Sequence, residues 1–169
     1  PARFQVTMPG LQRSSIRLFE YAQRYSDERG KTLAIACSCK EKAFPYEYRF
    51  LRSLIKTENI VLIPNDDNNF STYKAIDQSE VSLTVNSTVG FEGISRGNKV
   101  LFCNFSKDNF FDVSWPYGDG IWALKGDEIG YAGFSKRLDK LFEMEDSQWR
   151  LATGEMAQYF IRDERDRTA

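Results

Sequence analysis

The sequence alternates short apolar runs with segments of helical periodicity, and this alternation limits the possible folds more than any other feature. Five apolar runs have the length of a strand, and they cover residues 32–37, 59–64, 80–85, 99–104 and 121–124. Short apolar runs bounded by turn residues are typical of strands in a parallel sheet, because the crossover helices cover both faces of such a sheet. The order of elements therefore predicts an α/β fold.

The segments between these runs show apolar residues every three to four positions, which is the spacing of one helix face. The predicted helices cover residues 14–29, a segment opened by Pro45, residues 71–77, 88–96 and 133–144, and a last segment from Ser147. Glycine or proline marks several ends, and Pro9-Gly10 predicts a turn. Because helices follow strands regularly, we predict a Rossmann-like three-layer domain with a mostly parallel sheet of about five to six strands.

This pattern suggests a division of the chain into three parts. Residues 1–13 form an irregular segment or linker, and residues 14–146 form the predicted Rossmann-like domain. Residues 147–169 form a C-terminal helix with a charged, solvated tail.

Charge and hydropathy exclude two classes of partner. The chain has 23 basic and 24 acidic residues and a formal net charge of -1, so it lacks the excess of positive charge that nucleic-acid binding requires. Its apolar runs are all far shorter than the roughly 20 residues that span a bilayer as a helix, so no transmembrane segment is predicted.

The absence of histidine from the sequence excludes Ser-His-Asp and Cys-His catalysis within this chain, and it disfavours zinc. No catalytic residue and no cofactor are therefore assigned. Cys37, Cys39 and Cys103 lack the spacing of a disulfide framework, so we expect reduced structural thiols in a reducing compartment. Four loop acids also lack the spacing of metal ligands, so we expect solvated turn residues and no metal site; they are Asp66, Asp67, Asp108 and Asp112.

Ligands of open α/β sheets bind outside the carboxyl ends of the strands, where this chain has four polar or glycine-containing turns. The most informative turn is Asn86-Ser87-Thr88, between a predicted strand and a predicted helix. A helix that begins there offers free backbone N–H groups and the positive end of its dipole, which stabilise a phosphate. The two hydroxyls add donors, and Gly90 permits a close approach.

Glu92 follows Thr88 by four residues, so it lies one helical turn further along, where a carboxylate can accept two ribose hydroxyls. A structural interpretation stays open for the same residues. Ser87 or Thr88 can serve only as a helix N-cap, and Glu92 can be a surface acid near a helix start. The chain contains neither the Rossmann glycine fingerprint nor a P-loop.

The segment from Ser79 to Asn104 resembles the carboxyl-terminal, donor-binding half of bacterial glycosyltransferases with the two-Rossmann-domain (GT-B) architecture. It is most similar to those of surface and capsular polysaccharide biosynthesis. The matching features are the strand, the hydroxyl pair, a glycine, an acid and a glycine before a lysine, here Ser87-Thr88, Gly90, Glu92, Gly97 and Lys99. A weaker match is Trp115–Leu124, which is similar to a Pro…Gly…Trp segment of that family.

The resemblance implies a nucleotide-sugar donor substrate. Its phosphate would be bound by Ser87, Thr88, Gly90 and Lys40, and its ribose by Glu92. Contacts with the base or sugar would come from Asn86, Ser38, Asn65 and Trp115. Relatives that use CMP-linked acidic sugars carry a His-Pro pair after an earlier strand, where this chain has Ser38-Cys39-Lys40. Lys40 then either supplies the positive charge or is a solvated loop lysine.

The resemblance also implies that an N-terminal Rossmann domain of the same enzyme carries the acceptor site, and that this chain is one half of a longer protein. Such an enzyme is expected in the cytoplasm, including the inner face of the bacterial inner membrane. Three alternatives stay open: a non-catalytic nucleotide-binding or protein-binding module, half of a sugar-nucleotide epimerase, and a receiver-like regulator. The aromatic residues at 110–122 either stack on a ligand or close the core.

Overall fold

The structure is a computed structural model that describes residues 9–38, 40–66, 70–105, 120–124 and 126–160. Within these ranges it contains six α-helices: α1 Pro9–Arg29, α2 Pro45–Leu54, α3 Ser71–Gln78, α4 Thr88–Ser95, α5 Tyr131–Glu143 and α6 Asp146–Phe160. The strands are β1 Leu33–Ala36, β2 Ile60–Ile63, β3 Ser82–Thr84, β4 Val100–Cys103 and β5 Ala123–Leu124. A short 3-10 helix covers Gly126–Ile129.

The chain divides into two compact units. One unit is Ile16–Gln78, and the other begins at Ser79 and includes the start of α1 up to Ser15. In the first unit β1 and β2 pair in parallel, with Leu33 opposite Ile60 and Ala36 opposite Ile63. Helix α3 contacts both of these strands.

The unit that begins at Ser79 has a three-stranded parallel sheet in the order β3-β4-β5. All four residues of the central strand β4 are buried. Helix α4 packs on β3 and β4, and α6 packs on α4. The large buried side chains Phe102, Phe134 and Trp149 come from β4, α5 and α6, so the core of this unit includes both the sheet and its helices.

The α/β class, the parallel pairing and the five predicted strands are confirmed. The strands of the described residues form two sheets, of two and three strands, and the prediction of one sheet with five or six strands is not reproduced in their pairing. The physical reason is that the apolar pattern specifies which residues form strands. Which strands become neighbours depends on contacts between distant segments, which local periodicity does not record.

Most element bounds agree with the sequence prediction to within two residues. The predicted turn at Pro9-Gly10 is wrong, because α1 begins at Pro9. Proline is well suited to a first helical position, since its missing N–H would have no helical partner there. Gly30 and Gly97 have φ of 61° and 86°, in the left-handed region that ends helices, so both predicted stops are confirmed. The division at residues 13 and 146 stays a prediction.

Two of the three cysteines lie within the described residues. Cys37 and Cys103 are buried and free, in agreement with the expected structural thiols. Burial raises the pKa of both thiols, so less thiolate is present at neutral pH than in an exposed cysteine. Cys39 lies outside the described residues.

We expect Gly133→Ala to lower the free energy of unfolding by about 1–3 kcal/mol, because the space beside α5 is already filled. A Cβ at Gly133 would lie 2.4 Å from the Cα of Glu128 in the 3-10 helix, and backbone cannot yield as a side-chain tip can. Arg137 of α5 also holds this contact, since it forms an ion pair with Glu128 and donates to the Gly120 carbonyl at 3.2 Å.

The matched control is Gly154→Ala in α6, where a Cβ meets no atom within 4 Å. Alanine should stabilise that helix by about 0.5–1 kcal/mol through its higher helix propensity. Urea unfolding of both variants gives the comparison. Equal effects of the two substitutions would show that the contact between α5 and the 3-10 helix is not tight.

Candidate functional site

The N-terminus of α4 lies directly after β3, beside the buried central strand of its sheet. Ser87 is the N-cap, with φ -71° and ψ 136°, and its hydroxyl accepts the Val89 N–H at 3.3 Å. The Ser87 N–H in turn donates to Oγ1 of Thr84 at 3.0 Å, which ties the turn to the end of β3. The N-cap interpretation of Ser87 is therefore confirmed. It is compatible with ligand binding, because a hydroxyl that accepts one bond still has its hydrogen to donate.

The electrostatics of this helix start favour an anion. The first turn of α4 contains no acidic residue that would neutralise the positive end of the helix dipole. Ser87 and Thr88 are both exposed. Among the described residues, neither the N–H nor the hydroxyl of Thr88 has a hydrogen-bond partner. An anion from solvent can therefore reach donors here without displacing protein contacts.

Gly90 has a packing role that the sequence did not reveal. It is buried, and a Cβ at this position would lie 2.7 Å from Cζ of Phe102 and 2.9 Å from Cγ2 of Thr84. Its N–H donates to the Ser87 carbonyl at 3.0 Å. The missing side chain thus lets α4 lie close to β3 and β4. The predicted contact of Gly90 with a phosphate stays a prediction.

The remaining predicted residues of this unit lie on either side of the helix start. Asn86 immediately precedes the N-cap and is half-buried. Glu92 is also half-buried, one turn beyond Thr88 on the same side of α4. Trp115 lies outside the described residues. Of the other predicted aromatic residues only Trp122 is described, and it is buried, in agreement with the core interpretation.

The other three predicted site residues belong to the unit Ile16–Gln78. The structure brings Ser38 and Asn65 together at the carboxyl ends of β1 and β2, where Nδ2 of Asn65 donates to the Ser38 carbonyl at 2.9 Å. Lys40 forms an ion pair with Asp66, with 3.7 Å between Nζ and Oδ1. Both side chains of that pair are exposed, so it contributes little to stability.

Lys99, part of the resembling segment, has a structural role at the amino end of β4. Its Nζ donates to the Met144 carbonyl and lies 3.4 Å from Oδ1 of Asp146. The lysine therefore links the start of β4 to the junction between α5 and α6, at the end of the strand opposite to Ser87.

Sequence reasoning missed Glu47, which lies in the first turn of α2. Its side chain is directed back to the end of β1, where Oε1 accepts the Ser38 N–H at 2.9 Å. The residue is only 7% exposed, and its buried Oε2 has no hydrogen-bond partner among the described residues. A glutamate two residues after a helix-opening proline looks like an ordinary first-turn acid. No local signal distinguishes it from one, because its burial depends on β1.

The described residues contain no cluster of three or more side chains able to hold a metal ion. None of their helices combines the length and the apolarity needed to cross a bilayer.

Comparison with known proteins identifies a family. A family model described as "putative O-antigen biosynthesis protein" matches residues 9–163, which is most of the chain. No curated protein and no solved structure matches the chain. The family description agrees with the expected role in surface polysaccharide biosynthesis. Because the match covers far more than half of the sequence, the chain belongs to this O-antigen biosynthesis family.

Proposed function

We propose that the chain is the nucleotide-sugar-binding domain of a glycosyltransferase that acts in O-antigen or related surface-carbohydrate biosynthesis. The observation that carries the proposal is the exposed start of α4, which offers donors at the carboxyl end of β3 and has no acidic residue in its first turn. The family description supports the carbohydrate context.

In the proposed complex, the donor phosphate lies against the Thr88 N–H and the hydroxyls of Ser87 and Thr88. Sugar transfer leaves negative charge on the nucleotide phosphate, and fixed donors with a helix dipole stabilise that charge as it develops. Glu92 then accepts ribose hydroxyls one helical turn away. These contacts bind and orient the donor, whereas the group that activates the acceptor hydroxyl lies elsewhere in the enzyme.

We also propose that the enzyme has the GT-B architecture and that this chain supplies its Rossmann-like donor-binding domain. An N-terminal Rossmann domain of the same enzyme would be its partner, and the enzyme would be located in the cytoplasm. The resemblance-based contacts of Asn86, Ser38, Asn65 and Trp115 with the base or sugar, and of Gly90 and Lys40 with the phosphate, stay predictions. CMP-linked, UDP-linked and GDP-linked sugars are the donors to compare.

The test is an equilibrium titration of the chain with CMP, UDP, GDP and their sugar conjugates, followed by tryptophan fluorescence or calorimetry. We expect one nucleotide series to bind, and the double variant Ser87→Ala/Thr88→Ala to weaken that binding by about tenfold to hundredfold, since hydrogen bonds to charged groups are removed. The control is Ser53→Ala, an exposed helix serine whose hydroxyl donates to the Phe50 carbonyl of the same helix at 2.7 Å.

Unchanged nucleotide affinity in the double variant would reject the proposed phosphate site. If the chain binds the nucleotide but the complete protein transfers no sugar, the result would favour a non-catalytic binding module instead.

A further inference from the structure

The solvent-facing side of α2 carries positive charge and no negative charge. Arg49 and Arg52 are its exposed charged residues. The only acid of the helix, Glu47, is buried, and its carboxylate accepts the Ser38 N–H at 2.9 Å. The helix thus turns its one negative charge inward and both positive charges outward, so its outer side is electropositive.

The positive charge extends beyond the helix itself. Residues 40–56 contain five basic and two acidic residues, in a chain whose formal net charge is -1. Two of these cations have acidic partners, Lys40 in its pair with Asp66, and Arg52 in a pair with Glu41 at 2.6 Å. Three others are exposed and form no ion pair within the described part of the chain: Lys42, Arg49 and Lys56. Their charge is available to an anionic partner.

Two aromatic rings lie on the same side of α2 as Arg49. Tyr46 and Phe50 are four residues apart, and Arg49 is three residues after Tyr46, so the three side chains share one face of the helix. Tyr46 is 65% exposed and Phe50 is 39% exposed. Cζ of Arg49 lies 4.5 Å from the ring centroid of Tyr46, which places a cation and an aromatic ring in direct contact. We call these three residues and Ser53, one turn further along, the α2 face.

This combination of groups is complementary to the surface of a bilayer that contains anionic phospholipids. Lipid phosphates attract Lys and Arg side chains near the surface, and aromatic rings are stabilised at the boundary between head groups and acyl chains. The unpaired cations precede, belong to and follow a helix about 15 Å long, and a flat anionic surface can attract charges that are spread in this way. The charge balance of the whole chain disfavours a nucleic acid.

We propose that the α2 face docks the protein on a bilayer that contains anionic phospholipids. Arg49 and the neighbouring cations lie against lipid phosphates, and the rings of Tyr46 and Phe50 enter the region between head groups and acyl chains. The proposal adds a contact surface to the location that the resemblance implies, and it does not depend on nucleotide binding at α4.

The experiment is cosedimentation of the intact chain with sucrose-loaded vesicles of phosphatidylcholine, with and without phosphatidylglycerol. We expect vesicles with about 30% phosphatidylglycerol to bind the chain at least about tenfold more tightly than phosphatidylcholine alone. This binding should weaken as the salt concentration rises, because dissolved ions screen the attraction between exposed charges.

Two single substitutions test the two components of the α2 face. Arg49→Gln removes one cation and should weaken binding to the anionic vesicles by about fivefold, whereas Arg49→Lys keeps the charge and should bind within about twofold of the parent. Tyr46→Ser removes the more exposed ring and should weaken binding by about fivefold as well, because less apolar surface enters the bilayer.

The matched controls carry the same substitutions at exposed positions on other helices. Arg24→Gln lies in α1, where Arg24 is paired with Glu28 at 2.7 Å, and Tyr159→Ser lies in α6. Both should bind within about twofold of the parent, because neither position belongs to the α2 face. Melting temperatures of all variants should stay close to that of the parent, since exposed substitutions seldom change stability, and a loss of binding then reports on the surface itself.

Absence of cosedimentation with phosphatidylglycerol vesicles at low salt would overturn the proposal, as would binding that neither Arg49→Gln nor Tyr46→Ser weakens. Binding to immobilised polyglutamate that is as tight as binding to vesicles, and unchanged in Tyr46→Ser, would replace the bilayer by an acidic protein partner. Because the vesicles carry no nucleotide, loss of nucleotide binding in Ser87→Ala/Thr88→Ala leaves this test unaffected, and the two proposals can fail separately.

Discussion

Replacing Phe102 by alanine is expected to lower the free energy of unfolding by about 3–5 kcal/mol, the usual cost of a large aromatic residue in a core. Phe102 is fully buried in the central strand β4, and its ring centroid lies 4.6 Å from that of Phe91 in α4. The substitution removes the ring that fills the space between α4 and the sheet. Urea unfolding followed by circular dichroism measures the loss.

A double-mutant cycle tests why Gly90 lies opposite this ring. Gly90→Ala alone should cost about 1–3 kcal/mol, because its Cβ would lie 2.7 Å from Cζ of Phe102. In a Phe102→Leu background that atom is absent, so the same substitution should cost at least about 1 kcal/mol less than in the parent. The control pair is Gly154→Ala with Phe102→Leu, whose effects should add. Additive effects for Gly90 as well would contradict a packing role for this glycine.

The second large effect is expected at Ser87. Substitution by Asp and by Asn distinguishes the effect of Ser87 on ligand binding from its effect as a helix N-cap. All three residues are good N-caps, so both variants should retain the stability of the parent within about 0.5 kcal/mol. Ser87→Asp places a carboxylate beside the proposed phosphate, and two like charges about 4 Å apart near a protein surface repel strongly. We expect nucleotide affinity to fall at least about hundredfold in Ser87→Asp, and to stay within about fivefold in Ser87→Asn.

The measurement is calorimetric titration of both variants with the best nucleotide sugar. Equal affinities of Ser87→Asp and Ser87→Asn would mean that no anion lies near the α4 N-terminus. A parallel loss of stability and binding in both variants would mean that the N-cap hydroxyl itself is required for folding, and the comparison would then count against a role specific to phosphate.

The types and bounds of the elements could be predicted from the sequence because their signals are local. Pro45 opens α2, and Gly97 follows α4 with a positive φ, in both cases through the conformational limits of the residue itself. The pairing of strands could not be predicted in the same way. In the sequence, Val100–Cys103 does not differ from the other apolar runs, yet it forms the central strand and is wholly buried. Its central position depends on strands that are distant in sequence.

The candidate site shows the same limit. The capping position of Ser87 follows from a hydroxyl at the boundary between a strand and a helix, and it was anticipated as an alternative. The close approach of Gly90 to Phe102, twelve residues later, requires knowledge of how α4 lies on the sheet. Glu47 was missed for an equivalent reason, since its carboxylate is buried by the end of a strand that precedes it.

The central claim is that a phosphate lies against the start of α4, and backbone amide shifts test it most directly. The uniformly ¹⁵N-labelled chain is titrated with the nucleotide that binds best, and in parallel with the corresponding nucleoside, which lacks the phosphate. We predict that the amide resonances of Thr88 and Val89 move with the nucleotide and stay in place with the nucleoside. Nucleotide binding that leaves both amides unmoved, or that moves them equally with the nucleoside, would contradict the account.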